Sequence, residues 1–276
     1  MNKVFGYLFM VVALLATICL SVLASEREKG SAMNCLSTLI EQIRDRKLVV
    51  VDLSHTLNNK TPLFDDSEPE MVYKSLATYE HDGYRTGSFE MLEHFGTHID
   101  APAHFVSNSP TIDQIDPDKM ILPAVVIDVR EEVEKNPDYR LTKEKVAAFE
   151  KKASIPAGSA VFLLTGWGKR WGDAKLYRNA DAKGESRFPG FGGEVAKYLI
   201  EDKKVYALGI DTLSIDYGLS KDFEVHKLAL GHKLFMMENV DKLDLLPAQG
   251  AVVFCGPMKL EGGSGSPARI LALVPK

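Results

Sequence analysis

Short apolar runs set apart by amphipathic stretches constrain this chain more than any other feature. "AVVIDV" (Ala124–Val129), "SAVFLLTGW" (Ser159–Trp167), "VYALGIDT" (Val205–Thr212) and "GAVVFCGP" (Gly250–Pro257) are β-branched and apolar on consecutive positions, and "ILALVP" near the end reads the same way. Such runs suit strands covered on both faces. Helical patterns over residues 142–152 and 192–202 lie between them, and "KLVVVDLSHTL" (Lys47–Leu57) is a β-branched run entering a loop. Apolar strands alternating with helices predict an α/β fold with a mixed, largely buried sheet. No internal repeat or low-complexity linker interrupts the pattern, so one domain over residues 47–276 is expected. The preceding residues 25–46 form a leader with a short helix in "SAMNCLSTLIEQIRDR" (Ser31–Arg46).

Ahead of the leader, Lys3 is followed by the uncharged, mostly apolar run "VFGYLFMVVALLATICLSVLA" (Val4–Ala24), and charge resumes at Glu26. This is the pattern of a secretory signal peptide over residues 1–24, cleaved near Ala24–Ser25. It places the mature chain in a secreted or periplasmic location, with an uncleaved membrane anchor as the alternative for a run of this length. Cys19 falls in that run. Cys35 and Cys255 leave room for one disulfide or two free thiols, but no disulfide framework. A net charge of −5 and a pI near 5.8 supply no basic patch for phosphates, which argues against nucleic acid as a partner and for small-molecule chemistry.

The chemistry concentrates in "EHFGTHIDAPAHFV" (Glu93–Val106), which holds three of the seven histidines. His98 and Asp100 are two apart and face one side of an extended backbone. Gly96-Thr97 allows a turn that returns His94 to the same point. Two imidazoles and a carboxylate suit Zn²⁺, Mn²⁺ or Fe²⁺, and three protein ligands leave positions open, as catalytic sites require. His104 is either a further ligand or a general base and acid. Downstream lie Asp211, Asp216, His226, His232 and Glu238. Asp211 ends an apolar run, a common place for site residues in α/β folds. The spacing alone does not say which of the others join the site. The irregular segment "GKRWGDAKLYRNADAKGESRFPGFGG" (Gly168–Gly193) is either a lid carrying Trp171, Phe188 and Phe191 or a solvated surface loop.

"HFGTHIDAPAHF" (His94–Phe105) resembles the signature His-x-Gly-Thr-His-x-Asp-x-Pro-x-His-Phe of the metal-dependent cyclase-like hydrolases, the family of bacterial kynurenine formamidase and isatin hydrolase. "VVDLSHTL" (Val50–Leu57), "GIDTLSIDYG" (Gly209–Gly218), His226, Glu238 and the closing "PMKLEGGSGSPARILALV" (Pro257–Val274) extend the resemblance over about residues 45–276. It implies a compact swivelling β/β/α domain. His94, His98 and Asp100 would hold a first ion, and His104 would be catalytic. In the dinuclear formamidase branch Asp100 would bridge to a second ion held by His226 and Glu238. Isatin-hydrolase-like members hold a single Mn²⁺. The family commonly forms homodimers or homotetramers. "TPLFDDSEP" (Thr61–Pro69) stands where the formamidases carry a Pro-rich loop ending Pro-Gly-Asp. The Trp167/Trp171 segment and "GGSG" (Gly262–Gly265) resemble the isatin-hydrolase branch.

The expectation is therefore a hydrolase of a small amide, dependent on one or two divalent ions, Mn²⁺ or Zn²⁺. The substrate would be a cyclic, isatin-like amide, with Phe64, Trp167, Phe188 and Phe191 as walls for an aromatic ring. Arylformamidase activity on N-formylkynurenine is the alternative within the family. A non-catalytic secreted binding protein on the same scaffold is the alternative outside it.

Overall fold

The computed structural model describes residues 34–65 and 67–276. The signal-like run and its cleavage point lie outside them. Among the described residues no helix is long and apolar enough to cross a membrane. The chain divides into two compact units, Val50–Pro275 and, among the described residues, 34–49 with Lys276. In the smaller unit residues 34–44 form the expected leading helix. Its first turn is tied by the Ser37 and Thr38 hydroxyls, which donate to the Asn34 carbonyl at 3.0 and 2.7 Å.

Among the described residues twelve strands follow: β1 (Leu48–Asp52), β2 (Val72–Ala77), β3 (Thr86–Glu90), β4 (His98–Asp100), β5 (Ile121–Asp128), β6 (Arg140–Leu141), β7 (Ala160–Leu164), β8 (Gly190–Phe191), β9 (Ala207–Ile210), β10 (Phe235–Glu238), β11 (Gln249–Pro257) and β12 (Gly265–Pro275). The main sheet runs β1-β12-β11-β5-β7-β9-β10-β4, and β4 pairs again with β12. That second pairing closes seven strands into a barrel-like mixed sheet. β5, β7, β9 and β10 are parallel neighbours, while β4 and β11 run antiparallel to theirs. The fold is thus the expected mixed α/β class. Its closure goes beyond the sequence reading, because strand periodicity carries no information about which edges meet.

Closure explains why the central runs are apolar at every position. Leu122, Ala124 and Val126 of β5 point to one core with Phe162, Ile99 and Met237. Val125 and Ile127 point to the other core, with Val161, Leu208 and Ile210. Side chains alternate across a strand, so burial on both faces removes the polar alternation of a half-exposed sheet. The outer core is covered by the helices Lys143–Glu150, Gly193–Lys197 and Glu224–Gly231, which contribute Val146, Val195, Ala196, Val225, Ala229 and Leu230.

The aromatic side chains of residues 168–193 pack into the protein rather than standing free as in a lid or a solvated loop. Trp167, Phe188 and Phe191 are each 1% exposed and belong to the outer core. The Trp167 indole donates to the Tyr177 carbonyl at 2.7 Å and carries the Arg170 guanidinium on its face. Trp171 stacks on His55, ring centroids 3.8 Å apart. Cys35 and Cys255 are free thiols, one exposed and one buried.

Candidate active site

β4 carries the first part of the site and owes its position to the barrel closure. It lies between β10 and β12, and the register sets His98 opposite Glu238 and Pro267, and Asp100 opposite Met236 and Gly265. A histidine and a glutamate 140 positions apart in sequence thereby become cross-strand neighbours. Ile99 points into the inner core while His98 and Asp100 share the opposite face. Gly96 sits at φ +61, a left-handed conformation that glycine adopts without strain, and this turn brings His94 back over Asp100. Thr97 anchors the turn by donating to the Asn239 carbonyl at 2.7 Å and accepting from the His55 amide at 2.9 Å.

His226 enters from the first turn of the helix Glu224–Gly231. Asp216 fixes it: one carboxylate oxygen accepts from the Val225 amide at 3.0 Å, the other from the His226 amide at 3.1 Å and its Nδ1 at 2.7 Å. His98 Nδ1 is held in the same way by the Gly96 carbonyl, 2.8 Å away. The Gly96 carbonyl can only accept, so Nδ1 bears the hydrogen in His98, and the Asp216 oxygen that already accepts the His226 amide meets His226 Nδ1 in the same arrangement. Each Nε2 therefore faces the carboxylates: His98 Nε2 is 3.2 Å from Asp100 and 3.4 Å from Glu238, and His226 Nε2 is 3.4 and 3.3 Å from the same pair. His94 Nδ1 lies 2.7 Å from Asp100.

The electrostatics call for positive charge at this point. Burial resists a charge on His98, yet Asp100 and Glu238 outweigh it and push the ring up to about 10. Burial likewise opposes charge on His226, but the adjacent Asp100, Asp216 and Glu238 carboxylates carry it well above its usual value. Asp100 and Glu238 move the other way, against burial, because the imidazoles stabilise their charge. His98 Nε2 and Asp100 Oδ2 are buried without a hydrogen-bond partner. Two buried carboxylates, convergent imidazole nitrogens and orphaned donor atoms fit a divalent cation. Among the described residues, two groups have the spacing to hold an ion: His98, Asp100 and Glu238, and His94, Asp100 and His104. Asp100 is common to both.

His104 ends the short turn Pro102–His104 just after β4 and stacks on His94, centroids 3.9 Å apart. Burial, with the neighbouring His94 and His226, pushes it down to about 4. Its ring is therefore neutral at physiological pH and able to take a proton.

The cluster floors a cavity of about 540 Å³ whose walls include Phe64, Leu92, Phe105, Leu213 and Phe223. Of the four aromatic walls expected from the sequence, Phe64 lines it. Trp167, Phe188 and Phe191 do not, because their rings are consumed by the outer core. The further aromatic positions that line it, Phe105 and Phe223, flank His104 and the His226 helix; adjacency to the histidines was the available signal. Phe223 adopts φ +51 and meets Phe64, Phe105 and His226 at 6.3, 5.5 and 5.5 Å between centroids. Asp211 is not at the cavity. Its carboxylate accepts from the Thr165 amide and hydroxyl and the Gly166 and Trp167 amides, pinning the loop after β7. His232 is exposed and bonded to the Leu228 carbonyl.

The model of the Cyclase family matches residues 51–217. Isatin hydrolase of Roseibium aggregatum is 33% identical over 263 residues, covering 89% of this chain and 99% of that protein. Kynurenine formamidase of Bacillus cereus is 26% identical over 219 residues, covering 79% of this chain and 94% of that protein. The crystal structure of an isatin hydrolase bound to the product analogue thioisatinate superposes with a TM-score of 0.84 at 33% identity, over 89% of this chain and 99% of the other. The chain belongs to the cyclase family, and these full-length relatives are hydrolases by name.

Proposed function

We propose that this chain hydrolyses a small cyclic amide fused to an aromatic ring, of the isatin type. The observation that carries the reading is the position of the His104 imidazole, beside a buried carboxylate–imidazole cluster at the floor of an aromatic cavity. His94, His98, Asp100, His226 and Glu238 would hold one or two divalent ions, Mn²⁺ or Zn²⁺. Such an ion supplies Lewis acidity, bringing the pKa of a water from about 15.7 towards 7 and polarising the amide carbonyl. His104 takes the proton from the attacking water and returns it to the ring nitrogen as the C–N bond breaks. Phe64, Phe105 and Phe223 receive the aromatic ring and exclude bulk water. A second reading, hydrolysis of an aryl formamide at a dinuclear site, is favoured by the two donor groups that share Asp100.

Purified protein incubated with isatin and with N-formylkynurenine, with and without chelator, tests these readings. Chelator-sensitive isatin turnover supports the first, and formamide turnover alone supports the second. Inertness towards both would favour the non-catalytic binding protein. His104→Ala should retain metal by elemental analysis and lose on the order of 10²–10⁴ in turnover. Loss of metal in that variant would make His104 a ligand instead.

Two context proposals accompany this one. The chain is secreted or periplasmic through residues 1–24, which peptide mapping of the exported protein tests. It assembles as a homodimer or homotetramer, in keeping with Tyr73, Leu76 and Phe89 on β2 and β3, which are 54, 65 and 55% exposed. Sedimentation tests the assembly, and a monomer at micromolar concentration would overturn it.

A further inference from the structure

His94 differs from the other two imidazoles in which nitrogen it turns towards Asp100. His98 and His226 give Nδ1 to a protein acceptor and direct Nε2 inward. His94 does the reverse. Its Nδ1 is 2.7 Å from Asp100, and its Nε2 is 2.9 Å from the Ser264 hydroxyl. Ser264 has one hydroxyl hydrogen, and that hydrogen is committed: it is donated to Glu93 Oε2 at 2.5 Å, while the Ser264 amide donates to the same oxygen at 2.9 Å. A hydroxyl whose proton is spent can only accept, so His94 Nε2 must carry the hydrogen. Nδ1 is then the nitrogen left to face the cluster, 2.7 Å from Asp100.

The surrounding chain is shaped for this contact. Gly265, paired with Asp100 across the β4–β12 seam, lies against the same ring. A Cβ there would stand 2.5 Å from His94 Cε1 and 2.9 Å from Nε2. The glycine permits the close approach, and the preceding serine supplies the acceptor. Glu93 precedes His94 in sequence, so both partners of Ser264 come from one short segment, and β12 brings the serine to them.

We propose that Glu93 and Ser264 are positioning residues that assign the two nitrogens of His94, Nε2 to the protein and Nδ1 to the metal, and that Gly265 is the cradle that permits it. This rests on the metal-site reading given above. It gives the "GGSG" run a function in the site rather than in a surface turn. Outer-shell partners of this kind typically change metal affinity by about 10–100-fold when removed.

The test is a long-range proton–nitrogen correlation spectrum of the full chain, ¹⁵N-labelled at histidine and loaded with zinc. Signals are assigned with His94→Gln, His98→Gln and His226→Gln. The expected result is coordination through Nδ1 at His94 and through Nε2 at His98 and His226. Coordination of His94 through Nε2 overturns the proposal while leaving the metal site intact. Zinc bound without any His94 shift, or no zinc bound, overturns both. Chelator competition adds a second readout. Ser264→Ala and Glu93→Gln should weaken zinc about 10–100-fold, and Ser264→Thr, which keeps the hydroxyl, should recover most of the affinity. Wild-type affinity in Ser264→Ala refutes the assignment. A variant that fails to fold does not block the test, because the wild-type spectrum decides it.

Discussion

Asp216→Asn replaces a single oxygen with an amide nitrogen and separates two functions of one buried side chain. In the wild type both oxygens are acceptors: one takes the Val225 amide, the other takes the His226 amide and Nδ1. An asparagine keeps one acceptor and must turn its NH₂ towards a donor on the other side. Turned one way, it faces Val225 and loosens the start of the helix Glu224–Gly231. Turned the other way, it faces Nδ1 and releases His226 from the orientation that aims Nε2 at Asp100 and Glu238. A hydrogen bond to a charged group is worth roughly 1.5–3 kcal/mol, so losing one should cost about 2 kcal/mol, or roughly 4–8 °C in Tm for a chain of this size. Loss of the outer-shell acceptor should weaken metal by about 10–100-fold. The assay pairs calorimetry of the metal-free protein with zinc titration against a chelator. A lowered Tm with unchanged zinc affinity would reduce Asp216 to a helix cap. An unchanged Tm and unchanged affinity would refute the reasoning from this geometry.

Trp167→Ala should lose about 3–5 kcal/mol in urea denaturation, as for a large buried aromatic, with little change in KM under conditions where it folds. A large KM effect at preserved stability would return Trp167 to the cavity wall. His104 sits near 4 when folded and near 6.5 when unfolded, so its neutral form stabilises the fold above pH 6.5 and this contribution is lost as pH falls from 6.5 through 4. By the same shift, His104 should add no limb of its own to kcat/KM at verified metal saturation until pH approaches 4; a limb near 6.5 that disappears in His104→Gln would contradict it, whereas one that persists belongs to the activated water. Maleimide labelling with peptide mapping should modify Cys35 in the native protein and Cys255 after unfolding, since burial pushes the Cys255 thiol up to about 12. Protection of both until reduction would reveal a disulfide.

Much of the site was legible because it is local. His94, His98, Asp100 and His104 lie within one short motif, where a turn at Gly96 and the two-residue period of a strand fix their relation without help from the rest of the chain. The strand runs at β5, β7, β9, β11 and β12 were legible for a similar reason: burial on both faces leaves an unbroken apolar run. The four aromatic walls were a different kind of inference. An aromatic residue in an irregular segment can serve a cavity or a core, and burial decided for the core at Trp167, Phe188 and Phe191.

By itself, then, the sequence determined the class of fold and which side chains gather in the motif at residues 94–104, because those depend on residue type and short spacing. The tertiary structure decided what is non-local. Closure of β4 between β10 and β12 sets Glu238 across from His98 and brings Ser264 to His94. The helix after Phe223 delivers His226, with Asp216 choosing its nitrogen. The physical reason is that a ladder register is set by pairing along a whole strand, so contacts between positions far apart become definite after the barrel has closed.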